Sequence, residues 1–123
     1  MNYQKRLMER NRVFGLIRQS NSCGSHVNCI RFNATNTDEH EGTKAAVCLE
    51  LLRRKVLFYT EATFKNGKRC DIIAFNPKTG DSRIIEVLHS ETLSEAKEKT
   101  KEYPDLDIIY IKTKEFNLDE LDI

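Results

Sequence analysis

No run of apolar residues in this chain approaches the roughly 18 that a membrane-spanning helix needs. The basic N-terminus is not followed by an apolar stretch, so a secretory leader is not expected. There is no internal repeat and no low-complexity tract. A Gly-rich phosphate loop, a Walker motif and a G-x-S-x-G elbow are all missing, which argues against the common nucleotide-binding and serine-hydrolase designs. Net charge is almost missing too: it is +1 over 123 residues, although 32% of them are charged. Length and a 39% apolar content together support one domain with a modest core.

The small net charge hides a gradient. Residues 1–34 carry Lys5, Arg6, Arg10, Arg12, Arg18 and Arg31 against Glu9 alone. Residues 102–123 carry seven acids against Lys112 and Lys114. A basic front half can attract a polyanion even when the whole chain is near neutral. The plainer reading is an ordinary solvated surface. Four cysteines, Cys23, Cys29, Cys48 and Cys70, are enough for two disulfides. Without a leader, free thiols in a reducing cytoplasm are the expectation.

Periodicity supplies the elements. Residues 3–19 read as a helix, with apolar positions three and four apart. Residues 20–42 are polar and turn-rich, with "VNCIRF" as a short candidate strand. A helix follows over about 40–54, with Thr43, Ala46, Val47 and Leu51 on one face and Cys48, Leu49 and Leu52 widening it. "VLFYTEATF", "KRCDIIAF" and "SRIIEVLH" read as three strands joined through Asn66-Gly67 and "NPKTGD". Thr92 and Glu95 form a capping box for a helix with Leu93, Ala96, Thr100 and Tyr103 inward, stopped by Pro104. "DIIYIKT" reads as a strand buried on both faces, and "EFNLDELDI" as a last short helix. The expected organisation is a basic N-terminal helix and polar arm over 1–39 and an α/β core over 40–123.

One acid stands out in each of two strands. Asp71 precedes "IIAF", and Glu86 interrupts "IIEVLH". A buried carboxylate is costly unless something pairs with it. On adjacent strands the two acids face each other and raise each other's pKa. A divalent cation between them removes the repulsion, and hard oxygen ligands suit Mg²⁺ or Mn²⁺. The alternative is that each acid is solvated or salt-bridged at a strand end.

The stretch "GKRCDIIAFNPKTGDSRIIEVLHS", in a helix–strand–strand–strand–helix–strand order, resembles the PD-(D/E)XK nuclease superfamily. The likeness is to the archaeal Holliday-junction resolvases and restriction-type nucleases, and it covers about residues 40–112. It implies a restriction-endonuclease-like αβββαβ core, a mixed sheet flanked by helices, with the N-terminal helix as an addition. It also implies a metal-dependent endonuclease that hydrolyses DNA, with branched structures as a candidate target. Asp71 and Glu86 match the metal-holding acids, and Val87 takes the place whose carbonyl joins them. Glu41 fits the acid often found on the first core helix, with Glu50 as the alternative. A homodimer is a further implication.

The departure from that pattern is Leu88, which stands where the family has lysine. By alternation Leu88 shares a face with Glu86, and His89 points away. Either the lysine has moved, with Lys44 and Lys68 as candidates, or activity is lost and the fold serves to bind nucleic acid or a protein. Other signals are weaker. Cys23, His26 and Cys29 would need His40, Cys48 or a residue elsewhere to complete a zinc site, and reactive or incidental thiols are the other reading. Arg53, Arg54 and Lys55 could grip a phosphate backbone, but a helix C-terminus favours cations anyway. His89 reads as a polar strand-end residue, with a phosphate contact as the alternative.

Overall fold

The computed structural model describes residues 1–18 and 26–123. Helix α1 spans Tyr3–Phe14 and α2 spans Asp38–Arg53. Strands β1 (Leu57–Thr63), β2 (Arg69–Phe75) and β3 (Ser82–Leu88) follow, then α3 (Leu93–Thr100) and β4 (Ile108–Lys112). The strands form one sheet in the order β1-β2-β3-β4. The first three are antiparallel neighbours, while β4 runs parallel to β3. A parallel neighbour requires a crossover, and α3 supplies it. Among the described residues the fold is α/β: a mixed four-stranded sheet with three α-helices.

Local chemistry sets the boundaries. Thr37 caps α2 by accepting from the His40 amide at 3.1 Å, and Asp38, Glu39 and Glu41 place negative charge at the positive end of the helix. Its far end closes with Val56 N–H donating to the Leu51 carbonyl and Lys55 N–H donating to that of Leu52. Lys55 takes the left-handed backbone, φ 59°, that this closure demands. Gly67, at φ 88°, makes the β1–β2 turn. Thr92 caps α3, as its sequence indicates.

Two apolar layers lie against the sheet. Val47, Cys48 and Leu51 of α2 pack on Phe58, Ile72, Ala74, Ile85 and Ile111. On the other face, Val13, Phe14 and Ile17 pack with Ala62, Phe64, Cys70, Ile73, Phe75 and Ile84. The N-terminal helix is therefore built into the core, with Phe14 edge-on to Tyr59 at 4.9 Å.

Several sequence expectations need correction. Helix α1 ends at Phe14, not near residue 19, because Gly15 caps it and Ile17 turns to bridge Phe64 on the edge of β1. "VNCIRF" is not a strand. It runs beside β1 on bonds that use side chains: Asn28 Oδ1 accepts from Phe58 N–H, and Thr60 Oγ1 from Arg31 N–H. The buried stripe of α2 is His40, Lys44, Val47, Cys48 and Leu51, while Leu49 and Leu52 are exposed. Strand β4 is half-buried over Ile108–Tyr110, as befits an edge strand. The C-terminal segment forms two 3₁₀ turns, Thr113–Glu115 and Leu118–Glu120, and Arg54 holds the Leu118, Leu121 and Ile123 carbonyls.

Candidate functional site

The β2–β3 register pairs Ile72 with Ile85, so one further step sets Asp71 opposite Glu86. At that level the carboxylates take over from the backbone ladder. Val87 N–H donates to Asp71 Oδ2 at 2.8 Å, and Asp71 N–H donates to Glu86 Oε2 at 3.3 Å. On the other side of β2, the pairs Thr60–Ile72 and Ala62–Cys70 leave Glu61 opposite Asp71. Glu61 has φ 49°, a left-handed conformation that a side-chain-bearing residue adopts only at a cost.

This kink has a clear effect. Phe58 and Ile72 belong to the layer under α2, whereas Ala62 and Cys70 belong to the opposite layer. Strict alternation would keep residues 58 and 62 on one face, and likewise 70 and 72. Both strands therefore exchange faces at Glu61 and Asp71. The exchange turns both carboxylates toward α2.

There they meet a closed ring of polar contacts. His40 Nε2 lies 3.3 Å from Asp71 Oδ2, and His40 Nδ1 lies 2.9 Å from Glu41 Oε1. The Lys44 ammonium lies 2.8 Å from Glu41 and 3.1 Å from Glu61, and donates to the Arg31 carbonyl at 2.7 Å. Glu61 continues to the Arg69 guanidinium at 3.6 Å. The Tyr103 hydroxyl, 2.7 Å from the Arg69 carbonyl, also hydrogen-bonds Glu86, which returns the ring to Asp71. Asn33 N–H and the Asn36 amide each donate to Glu41 at 2.9 Å.

Proton affinities follow from this arrangement. Burial and the neighbouring Asp71 charge push the Glu86 carboxyl up to about 9. Burial also opposes ionisation of Asp71, but hydrogen bonds from His40, Glu86 and the Val87 amide outweigh it and hold Asp71 below its ordinary value. Glu41 is likewise penalised by burial, yet Lys44, Asn33, Asn36 and His40 bring it down to about 2. His40 is raised: burial disfavours its charge, and the two carboxylates more than compensate. Among the described residues, Asp71, Glu41 and Glu61 face His40, Lys44 and Arg69, so each of these buried carboxylates has a basic group beside it, the condition under which buried charge is tolerable.

The residues nominated from sequence fall into distinct places. Asp71, Glu41 and Lys44 are joined through His40 and lie on the α2 side. Glu86 flanks Asp71 and turns toward Tyr103. Lys68 stands outside the ring, exposed and 3.6 Å from Glu102. Leu88 does share the Glu86 face, but it is buried beside Leu93 and Tyr110, away from α2. Glu50 pairs with Arg53 and Arg54, far from Asp71 in the fold, so those arginines have local partners. His89 lies 3.3 Å from Thr113 Oγ1. Of the zinc candidates, Cys23 lies outside the described residues. Cys48 is buried in the apolar layer and both His40 nitrogens are occupied, so neither completes that site.

Sequence reasoning passed over Glu61, Arg69 and the bridging role of His40. The signal for Glu61 was present: an acid inside "VLFYTEATF" poses the same question as Glu86 inside "IIEVLH". A polar cleft of about 300 Å³, lined by Asn36, Thr37, His40, His89, Ser90 and Glu95, opens onto the ring. Exposed cations stand on the Tyr103 side of the sheet, opposite this cleft. Lys65, Lys68 and Arg69 follow the β1–β2 turn, the Arg18 guanidinium reaches Gly67, and the charge of Lys99 favours ionised Glu86.

Among the described residues, no cluster of three or more His, Cys, Asp or Glu is arranged around a common point as a metal cage. The donor chemistry at Asp71 and Glu86 suits a different ion. Mg²⁺ keeps most of its waters and commonly takes only one or two protein carboxylates. Two facing carboxylates whose mutual repulsion raises the proton affinity of Glu86 fit that requirement once the cation displaces that proton. Comparison with protein-family models, curated proteins and solved structures finds no match to the chain.

Proposed function

We propose that this protein is a Mg²⁺- or Mn²⁺-dependent endonuclease of the PD-(D/E)XK type, with a restriction-endonuclease-like core acting on DNA. The observation that carries this reading is the facing pair Asp71 and Glu86, placed where β2 and β3 give up their ladder. Asp71, Glu86 and the Val87 carbonyl would hold the ion. When bound, the ion would supply charge neutralisation and a water of lowered pKa. Glu41 stands one residue from Asp71 through His40, which would leave it as the outer acid of the site. Lys44 is wholly buried and held by three oxygens, so its role in this scheme is to orient Glu41. The exposed cations of the β1–β2 turn and α3, on the Tyr103 side, support a phosphate-bearing substrate.

Calorimetric titration with Mn²⁺, paired with cleavage of linear and branched DNA, tests the reading. The wild type should bind Mn²⁺ and nick DNA. Asp71→Asn and Glu86→Gln should each weaken binding at least about tenfold, because an amide cannot become the anionic ligand that a carboxyl becomes when the cation displaces its proton. Equal affinity in all three proteins would mean that the carboxylates are purely structural. A second reading, DNA binding without cleavage, has one observation in its favour. Leu88 replaces the family lysine, and Lys44 is sealed from the cleft. Salt-sensitive DNA binding with no divalent-dependent nicking would select it.

A further inference from the structure

The two edges of the sheet are treated differently. The outer edge of β1 is occupied: Arg18 N–H donates to the Thr63 carbonyl, Asn28 N–H to that of Phe58, and Thr60 bonds residues 29 and 31. Among the described residues, no backbone bond covers the outer edge of β4. Ile84 N–H donates to the Asp107 carbonyl, and Ile84 is registered with Ile108, so residues 107, 109 and 111 direct their backbone groups to β3. Ile108, Tyr110 and Lys112 direct theirs outward. A row of such groups is a template for one more strand.

A groove of about 440 Å³ runs along this edge, and its two walls differ. On the α3 side stand Leu88, Tyr110 and Leu93, with Lys112 at the end. Leu93, expected from sequence to be packed inward, is 42% exposed there. On the α2 side stand Ile109, Glu115 and Glu120, because Phe116 and Leu121 anchor the segment that carries the two acids to the layer under α2. Both glutamates are exposed, and neither has an ion-pair partner among the described residues. The wider surroundings share their sign, since residues 102–123 hold seven acids against two lysines. An added strand alternates its side chains between the two walls. Its apolar residues would cover Leu88, Leu93 and Tyr110, and its cationic ones would reach Glu115 and Glu120. A second copy of β4 does not fit, because a two-fold pairing centred on Tyr110 sets Asp105 against Glu115.

We propose that β4 is the docking edge for an extended, cationic segment of another protein, in which apolar residues alternate with lysine or arginine, and that this segment joins the sheet as an antiparallel fifth strand. In an antiparallel ladder the guest residue opposite Tyr110 lies on the same face as Tyr110 and exchanges backbone bonds with it. The apolar residues of the guest therefore carry the bonds to β4. The probe is a capped peptide alternating valine and arginine over about nine residues, titrated calorimetrically into the intact chain. It should bind, and amide exchange at Ile108, Tyr110 and Lys112 should slow at least about tenfold. N-methylation of its valines should abolish binding, whereas N-methylation of its arginines should leave the affinity within about threefold. Glu115→Lys and Glu120→Lys should each weaken binding at least about threefold. Asp81→Lys makes the same change of charge just before β3 and should leave it unaltered. Absence of binding by the unmodified peptide overturns the proposal. So does equal binding by the two methylated forms, a preference for the valine-methylated one, or indifference to both glutamate substitutions. The methylated pair is compared on the unaltered chain, so that result does not depend on the folding of a variant.

Discussion

Glu61 and Asp71 stand opposite each other on β1 and β2, and both send their carboxylates to the same helix. Glu61 reaches Lys44 and Asp71 reaches His40, one helical turn apart on α2. The left-handed backbone at Glu61 is what makes this possible, since it exchanges the faces of the strand. The polar ring and the sheet kink are therefore one feature, and each holds the other in place.

Removing the ammonium at its centre should be severe. Lys44→Met leaves Glu41 and the 5% exposed Glu61 without their nearest cation. The expected loss is about 3–5 kcal/mol in urea unfolding. Adding Glu61→Gln should restore part of it, because one buried charge disappears with its partner. A double variant less stable than the single would show that the pair is not the source of the loss.

Glu41 links stability to acid. Its folded carboxyl is depressed to about 2, while the unfolded one titrates near 4.5. The unfolded chain therefore takes up a proton first as pH falls. The stabilisation is whole above about pH 4.5 and is lost progressively between there and pH 2. Solvent near the cleft screens part of the interaction, leaving about 1–2 kcal/mol. Glu41→Gln should be less stable than wild type at pH 6, and the difference should shrink toward pH 2 in thermal melts.

Glu86 works in the opposite direction. Its folded carboxyl is raised to about 9, so the folded chain keeps a proton that the unfolded chain gives up above about pH 4.5. Its contribution is whole below that pH and declines as pH rises toward 9, at up to about 1.4 kcal/mol per pH unit. Glu86→Gln imitates the neutral carboxyl, whose role is to donate to Asp71 and accept from Tyr103. In metal-free buffer the variant should gain on wild type steadily from pH 5 to pH 8. A constant difference over that range would mean that Glu86 is ionised throughout.

If the cations of the β1–β2 turn grip phosphate, they should appear in the salt dependence of DNA affinity. Lys65→Ala with Lys68→Ala removes two exposed charges from the β1–β2 turn without touching the ring. The log–log slope should become shallower by about 0.9 for each phosphate left without its cation. Arg53→Ala, at the far end of α2, is the control that should leave the slope unchanged.

Much of this architecture was legible in the sequence because it rests on short-range rules. Alternation and turn residues located β1, β2 and β3, and Thr92 caps the helix that follows it, whereas the Thr37 cap that starts α2 at Asp38 was not read from the sequence. Asp71 and Glu86 stood out by a simple test, an acid in apolar surroundings, whereas Glu41 entered only through the family resemblance. What escaped depended on the third dimension. Alternation has no means of announcing that it will break at Glu61. The half-buried state of β4 follows from its edge position, which the apolar run "DIIYI" contradicts. His40 reads as an ordinary first-turn residue until Asp71 is brought within 3.3 Å of it.

A β-sheet usually insulates what lies above it from what lies below, because its middle is filled with aliphatic side chains. Here Tyr103 touches the ring from one side and His40 and Lys44 touch it from the other, with Glu86 and Asp71 passing between. The sheet is in effect electrically perforated at this level. A proton gained or lost by Glu86 changes the field at His40 with no movement of the chain. A molecule that engaged only the Tyr103 side would therefore alter the acidity of the cleft on the opposite face.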